Sequence, residues 1–273
     1  MPSRPLASFA NGLNAVTEAY RYVVVGRGRW APRIRSILAS EGRQVSALED
    51  ARRTASEDQS TYQARLASSF KASSAQIAWL CVPPGEHIPL LMAAAIESGL
   101  HVIVEKPWFC SADETRRLDA LAKSHGAILA IHYEYCLLEA VETWRHSYNG
   151  GASLKFAGRL NIQRPNHIGL PALDNLGSHL FSIHEYSLPQ AAIDEISCGY
   201  DRPDERRVWI SKASGQLAEI DLLANKEPII QRFFGRVEAA IRGADFLFDL
   251  QFGLRVAERI ALWRQHSAQK EQP

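Results

Sequence analysis

The sequence predicts an α/β protein with a doubly wound parallel sheet in its first half, followed by an α+β unit with an open, largely antiparallel sheet. Up to about residue 135, short β-branched runs alternate with amphipathic helical stretches, the rhythm of βαβ units. After Gly150-Gly151 the strand-like runs follow one another with mostly short connections, which favours antiparallel pairing. The chain has 273 residues, 46% hydrophobic and 22% charged. That is enough apolar material for a substantial core, and it excludes disordered and fibrous classes.

Residues 1–20 read as an extension that forms a short helix or is partly ordered. Tyr22-Val23-Val24-Val25 is the first strand, apolar throughout as for a strand buried on both faces. A helix with Ile34, Ile37 and Leu38 on one face follows, then a second strand over Gln44–Leu48. Ile77–Val82 is the next strand, closed by Pro83-Pro84. Ile88, Leu91, Met92, Ala95 and Ile96 mark a helix stopped by Gly99. His101–Val104 is a strand that ends in Glu105-Lys106-Pro107. Ser111 with Glu114 forms a capping-box pattern that opens a helix, and Ile128–Ile131 is the last strand of this half. In the second half, Leu154–Ile162, Ile193–Tyr200, Val208–Ser211, Leu217–Leu222 and Ile229–Phe233 are strand-like. A final helix over about Asp245–Trp263 carries Leu247, Leu250, Leu254 and Ala257 on one stripe. The expected division is an extension over 1–20, a parallel-sheet domain over 21–135, an α+β domain over 136–243, and a C-terminal helix and tail over 244–273 that pack back on both.

Lys and Arg total 31, Asp and Glu 30, for a formal charge of +1. No bulk charge recruits nucleic acid or an anionic membrane surface. Cys81, Cys110, Cys136 and Cys198 form no CxxC pair, so zinc-ribbon and thioredoxin-type readings fail and no metal site is expected. Scattered cysteines suit a reducing compartment. With no apolar run of membrane-span length and no signal-peptide core near Arg4, the expectation is a soluble, cytoplasmic protein.

Three constellations carry chemistry. The first is Gly26-Arg27-Gly28-Arg29-Trp30-Ala31 between a strand and a helix. Its glycines permit a tight turn and a close approach of backbone to a pyrophosphate. Ala31 is small enough for close packing, and the helix start offers free N–H groups, as in Rossmann-like dinucleotide sites. Arg29 and Trp30 lie inside the loop; Trp30 either flanks a cofactor or packs between domains. Glu49 or Asp50 follows about twenty residues on, placed to accept hydrogen bonds from an adenosine ribose, whereas Arg52 and Arg53 would favour a 2′-phosphate. NAD is favoured over NADP.

The second is Glu105-Lys106 at the carboxyl edge of the sheet. Lys106 there, beside a nicotinamide, acts as an acid or orients a hydroxyl or carbonyl; Glu105 pairs with it or with a neighbouring group, and both are also cofactor-binding candidates. The third is Asp174-Asn175-Leu176-Gly177-Ser178-His179, with Ser182, His184 and Glu185 beyond. A helix over 173–187 puts Asn175, His179 and Ser182 on one face, with His179 able to exchange a proton near neutral pH. His184 falls on another face and reads as structural. Tyr133 and Tyr135 either line the cleft or pack at a hinge, with packing the expectation.

In this order the three constellations resemble the Gfo/Idh/MocA family (glucose–fructose oxidoreductase, inositol dehydrogenase, MocA), from about Tyr22 to the final helix. Val82-Pro83-Pro84-x-x-His87 looks like the family's cofactor-side loop, which adds Cys81, Pro83 and His87 to the cofactor candidates. His101–Pro107 looks like its Glu-Lys-Pro signature, and Leu173–Ser182 like its Asp-x-Gly-x-His-x-x-Asp segment. The resemblance implies NAD(P)-linked oxidation or reduction of sugars, cyclitols or related small molecules, and a homodimer or homotetramer built through the second sheet. It implies that Lys106 is the signature lysine and His179 the catalytic histidine. Asn175 and Ser182 stand where the family's sugar dehydrogenases carry Asp. Asn orients but neither takes up a proton nor stabilises a cationic His by charge. Two other readings stay open: a reductase of an imine or conjugated, biliverdin-like substrate, and a non-catalytic dinucleotide-binding regulator.

Overall fold

The computed structural model describes residues 19–148, 153–163, 165–166, 169–224 and 226–270. The expected extension, apart from residues 19 and 20, and the Gly150-Gly151 boundary lie outside the described residues.

The first sheet is parallel with strand order β2-β1-β3-β4-β5. Its strands are β1 (Arg21–Val25), β2 (Gln44–Leu48), β3 (Ile77–Leu80), β4 (His101–Glu105) and β5 (Leu129–His132). The order makes the chain reverse direction across the sheet between β1 and β3, the switch point where such sheets open a crevice at their carboxyl ends. Tyr22–Val25 and Ile77–Leu80 are completely buried, which is why they read as unbroken apolar runs. Helices α1 (Trp30–Ser40), α2 (Gln59–Ala72), α3 (His87–Glu97) and α4 (Ala112–His125) connect these strands. The Ser111–Glu114 capping box forms as expected and Gly126 ends α4 in the left-handed conformation. Helix α2 is not among the elements expected from the sequence, although Asp58 accepts from Thr61 N–H as its N-cap and Tyr62, Leu66 and Phe70 recur at the helical period.

A 3₁₀ turn over Glu134–Leu137 and α5 (Glu139–Ser147) lead to the second sheet, order β7-β6-β8-β9. Its strands are β6 (Lys155–Asn161), β7 (Ala192–Gly199), β8 (Glu205–Lys212) and β9 (Gly215–Asp221). The β6–β7 pair is parallel and the other two pairs are antiparallel. Between β6 and β7 run α6 (Ala172–Asn175) and α7 (Gly177–Ser187). Gly158 on β6 makes room for Leu180 of α7, since a Cβ there would stand 2.9 Å from that side chain.

Ile229–Phe233 is not a strand but the start of α8 (Ile229–Ile241). The five-residue run is apolar enough for either; Ile230, Phe233, Phe234 and Val237 continue it at helical spacing and are buried. The last helix, α9, spans Leu250–Lys270, later than expected. Asp249 accepts from Phe252 N–H and fixes its start. Its buried stripe runs through Phe252, Val256 and Ile260, and Leu247 is exposed. Helix α9 packs on α7 and also on α4 and β5. Helix α8 is tied to the first sheet by Glu238, which accepts from Tyr22 OH (2.9 Å) and from Arg43 Nε and Nη2 (3.0 and 2.8 Å). A buried carboxylate is tolerable because these donors claim both its oxygens.

Among the described residues, buried His184 on α7 makes a single side-chain hydrogen bond, between Nε2 and Ala191 O (2.9 Å), and burial pushes its pKa down to about 4. An unfolded histidine titrates near 6.5, so between these values the unfolded state holds more protons than the native one, and stability falls as pH falls across that window. In urea titrations, replacing His184 by Gln should reduce the stability lost between about pH 7 and about pH 5 by roughly 2 kcal/mol.

Candidate active site

The carboxyl edge at the switch point begins with Gly26, φ +117°. A Cβ there would sit 2.5 Å from Cys81 O, so only glycine fits. Gly26 N–H donates to Leu48 O at 2.9 Å, drawing the ends of β1, β2 and β3 together. Gly28 differs: a Cβ there would meet no atom of the described residues within 4 Å. The space above it is open, which suits a close-lying ligand. The start of α1 has no side-chain cap and no acid in its first turn, so its N–H groups and positive dipole end face that space. Ala31 is fully buried behind it. The open space and the uncapped helix start suit the charge of a dinucleotide pyrophosphate.

Glu49 lies exposed just past β2 and pairs with Arg35 at 3.2 Å. Arg53 is engaged with Glu57 O, while Arg52 is exposed with no acidic partner among the described residues. Glu49 and Arg52 are therefore both at the surface just past β2. Arg29, which precedes α1, is also exposed. Cys81 supplies the main-chain wall against Gly26; its thiol is buried, and burial, then Glu105, pushes its pKa well above the ordinary range. Pro83 is exposed, and His87 opens α3 with its pKa lowered by burial. Between this loop and the end of β4 lies a cavity of about 270 Å³ lined by Pro84, Ile88, Val104, Glu105, Pro107 and Trp108.

At the end of β4, Glu105 and Lys106 part company. Glu105 Oε1 accepts from Trp30 Nε1 (2.7 Å), Trp79 Nε1 (2.9 Å) and His132 Nδ1 (3.1 Å). Of the two partners expected for Glu105, the neighbouring groups win, and Trp30 packs into this cluster. Lys106 precedes a cis bond to Pro107. Its Nζ donates to Asn175 O and Asn175 Oδ1, both at 3.0 Å. Burial pulls its pKa below the ordinary lysine value, against the opposing pull of Glu134 and Glu105.

The single helix expected over 173–187 is interrupted at Leu176. His179 N–H bonds to Leu176 O rather than to Asn175 O. The freed Asn175 carbonyl takes Lys106 Nζ and Ser178 Oγ (2.8 Å) instead. Asn175 Nδ2 donates to Tyr200 OH at 2.7 Å, which turns its Oδ1 toward the lysine. Asp174 points elsewhere, into an ion pair with Arg264 of α9.

His179 is buried with its ring edge on Tyr135 (centroids 4.8 Å apart) and Nδ1 without a hydrogen-bond partner among the described residues. Burial, then the charges of Lys106, His132 and Arg206, push its pKa well below the ordinary value, so it is neutral at pH 7. Ser182 is fully buried, its hydroxyl bonded to His179 O at 2.9 Å; it sits behind the histidine rather than beside the lysine. His184 is structural, as expected. Tyr135 stands in the site, held by Arg206 Nη1 at 3.1 Å, whereas Tyr133 packs on Phe252.

Sequence reasoning missed Trp79, His132, Glu134, Tyr200 and Arg206. Trp79 and His132 had a signal: polar-tipped side chains inside runs buried on both faces need partners. Tyr200 and Arg206 come from the second sheet, and nothing local marks them.

Residues 20–133 match the family model GFO_IDH_MocA, described as an oxidoreductase family with an NAD-binding Rossmann fold. The uncharacterized oxidoreductase YdgJ of Escherichia coli (strain K12) is 45% identical over 51 residues, 19% of this chain and 14% of that protein. The matched stretch is thus a small part of that relative. The UDP-N-acetylglucosamine 3-dehydrogenase GnnA from Acidithiobacillus ferrooxidans superposes with TM-score 0.71 at 15% identity, over 90% of this chain and 96% of that one. The WlbA dehydrogenase from Bordetella pertussis, in complex with NADH and UDP-GlcNAcA, superposes with TM-score 0.68 at 16% identity, over 90% of this chain and 95% of that one. At these identities the superpositions speak to the fold.

The two glycines separate by experiment. Gly26→Ala should lower unfolding stability by about 2–3 kcal/mol in urea titrations, through strain and the clash with Cys81 O. Gly28→Val should leave stability within about 0.5 kcal/mol and weaken NADH binding at least tenfold by fluorescence titration.

Proposed function

We propose that this chain, whose residues 20–133 match the NAD-binding Rossmann fold of the Gfo/Idh/MocA oxidoreductase family, is an NAD-dependent oxidoreductase of a sugar-like small molecule. The observation that carries the reading is the joining of Lys106, at the carboxyl edge of the dinucleotide sheet, to Asn175, with His179 one helical turn further on. The substrate would be a sugar, a cyclitol or a related hydroxylated intermediate; GnnA and WlbA, whose fold this chain shares, are named for or bound to UDP-linked amino sugars. A homodimer or homotetramer through the second sheet belongs to the same reading.

NAD supplies the hydride acceptor, or in reduced form the donor. The pyrophosphate would lie over Gly28 and the start of α1, with Arg29 and Trp30 at its flank, and Glu49 would take the ribose hydroxyls. Cys81, Pro83 and His87 would border the nicotinamide side. Lys106 holds two of its three N–H groups on Asn175, which leaves one for the substrate oxygen. Its lowered proton affinity makes it a better proton donor to a developing alkoxide than an ordinary lysine. His179, neutral and buried, accepts a hydrogen bond or a proton but does not serve as a standing acid. Asn175 orients both. With no carboxylate in its place, the positive charge of Lys106 is held by a carbonyl and an amide oxygen, which stabilise it less than an ion pair would.

Lys106→Ala should lower kcat about 10²–10⁴-fold on any substrate found in a screen of hexoses, inositols and UDP-linked amino sugars, with NADH affinity changed less than about threefold. NADH binding with no turnover of any such compound, in wild type as in the variant, would instead favour the non-catalytic reading.

A further inference from the structure

Strand β8 carries an arginine where the alternation of a strand calls for core. Val208 and Ile210 face inward and are fully buried, and Arg206 holds the preceding inward place. The outward arginines around it are answered by acids. Arg207 pairs with Glu219 at 3.1 Å, and Arg159, opposite Arg207 on β6, pairs with Glu195 at 2.8 Å. Arg206 has no such answer: among the described residues no carboxylate forms an ion pair with it. Its one side-chain hydrogen bond there runs from Nη1 to Tyr135 OH at 3.1 Å, and its buried Nε has no partner. A guanidinium has five N–H groups, and here one is spent.

The bond to Tyr135 aims this charge at the site, because the Tyr135 ring packs on His179 with centroids 4.8 Å apart. The charge of Arg206 also bears on Lys106 and His179. Tyr135 OH accepts from the arginine, and its own hydrogen meets no acceptor among the described residues. Burial, foremost, raises the Tyr135 pKa, so the hydroxyl keeps that hydrogen. Lys106 has one N–H left after its two bonds to Asn175. Tyr200 OH accepts from Asn175 Nδ2 and has its hydrogen to give as well. The nearby acids are turned elsewhere: Glu105 and Glu134 lie against His132, at 3.1 and 3.9 Å. The site therefore offers positive charge and unspent donors from Arg206, Tyr135, Lys106 and Tyr200.

We propose that the substrate is a sugar acid, whose carboxylate binds the guanidinium of Arg206 and the Tyr135 hydroxyl while the hydroxyl or carbonyl that reacts takes the remaining N–H of Lys106. The inference deepens the reading of this edge as the reaction site and rests on it. The carboxylate is an anchor and is unchanged by hydride transfer. With Lys106 committed to the reacting oxygen, one positive charge remains for the anion. That matches a planar, monoanionic carboxylate better than a dianionic phosphate. Arg206 and Tyr135 are then the residues that set the specificity for an acid.

The test is calorimetric and saturation-transfer NMR binding to the whole protein, with and without NADH, using pairs that differ at the acid. Glucuronate is set against glucose, galacturonate against galactose, and glucose 6-phosphate serves as the phosphate probe. At least one acid should bind about 10- to 100-fold more tightly than its neutral partner, and the phosphate no more tightly than glucose. Arg206→Gln should bring that acid-to-neutral ratio to within about threefold of one, and Arg206→Lys should keep part of it. Tyr135→Phe, which keeps the arginine and loses one donor, should lower the ratio about three- to tenfold. A folded Arg206→Gln protein with the wild-type ratio, a preference for the phosphate, or no binding of either acid overturns the proposal. Arg206-dependent binding of an acid that NAD never oxidises keeps the carboxylate site and sinks the hydride-transfer reading alone, so the two fail separately.

Discussion

The contact on which the site depends is between one ammonium group and one backbone carbonyl. Lys106 Nζ stands at the end of β4 and Asn175 O at the end of α6, 69 positions apart in sequence. A carbonyl inside a helix is ordinarily spent on the amide four residues on. Here the ladder is broken at Leu176, and the freed oxygen reaches out to the lysine. That break sets where α7 starts, and so where His179 points. Tyr200, from the second sheet, then fixes the Asn175 amide so that its oxygen adds to the carbonyl rather than opposing it. Three segments far apart in the chain are thus oriented by one cation.

Placing such a cation out of water has a cost, and the surroundings show how it is met. Lys106 is half-buried beside neutral His179 and the guanidinium of Arg206. Each pKa unit of displacement corresponds to about 1.4 kcal/mol between the two protonation states. Glu105 and Glu134 offset part of the desolvation without touching the ammonium, because their nearest partners are the indoles and His132. On the proposed reading the lysine is kept charged enough to act as an acid and free enough to give its proton up. A direct Glu105–Lys106 pair would have lost the second property.

Much of this was legible in the sequence. The parallel sheet, its switch point and the glycine turn follow from period and punctuation, because Tyr22–Val25 and Ile77–Leu80 are buried on both faces and Gly26 has no alternative at its φ. Lys106, Asn175 and His179 were legible as residue types in order, helped by the family resemblance. Glu105 remained ambiguous because its partners, Trp79 and His132, come from other strands. The start of α8 was misread because a five-residue apolar run has no period of its own. Tyr200 and Arg206 carried no local signal: they matter only because β7 and β8 bring them beside α6 and the turn after β5.

The most direct measurement is the crystal structure of the protein grown with NADH. The pyrophosphate should lie over Gly28 at the start of α1, and the dihydronicotinamide ring should lie at the end of β4 beside Lys106, with the Lys106–Asn175 contact kept. A nicotinamide bound away from the end of β4, or a Lys106 swung out of reach of both ring and Asn175, would contradict the assignment of this edge as the reaction site.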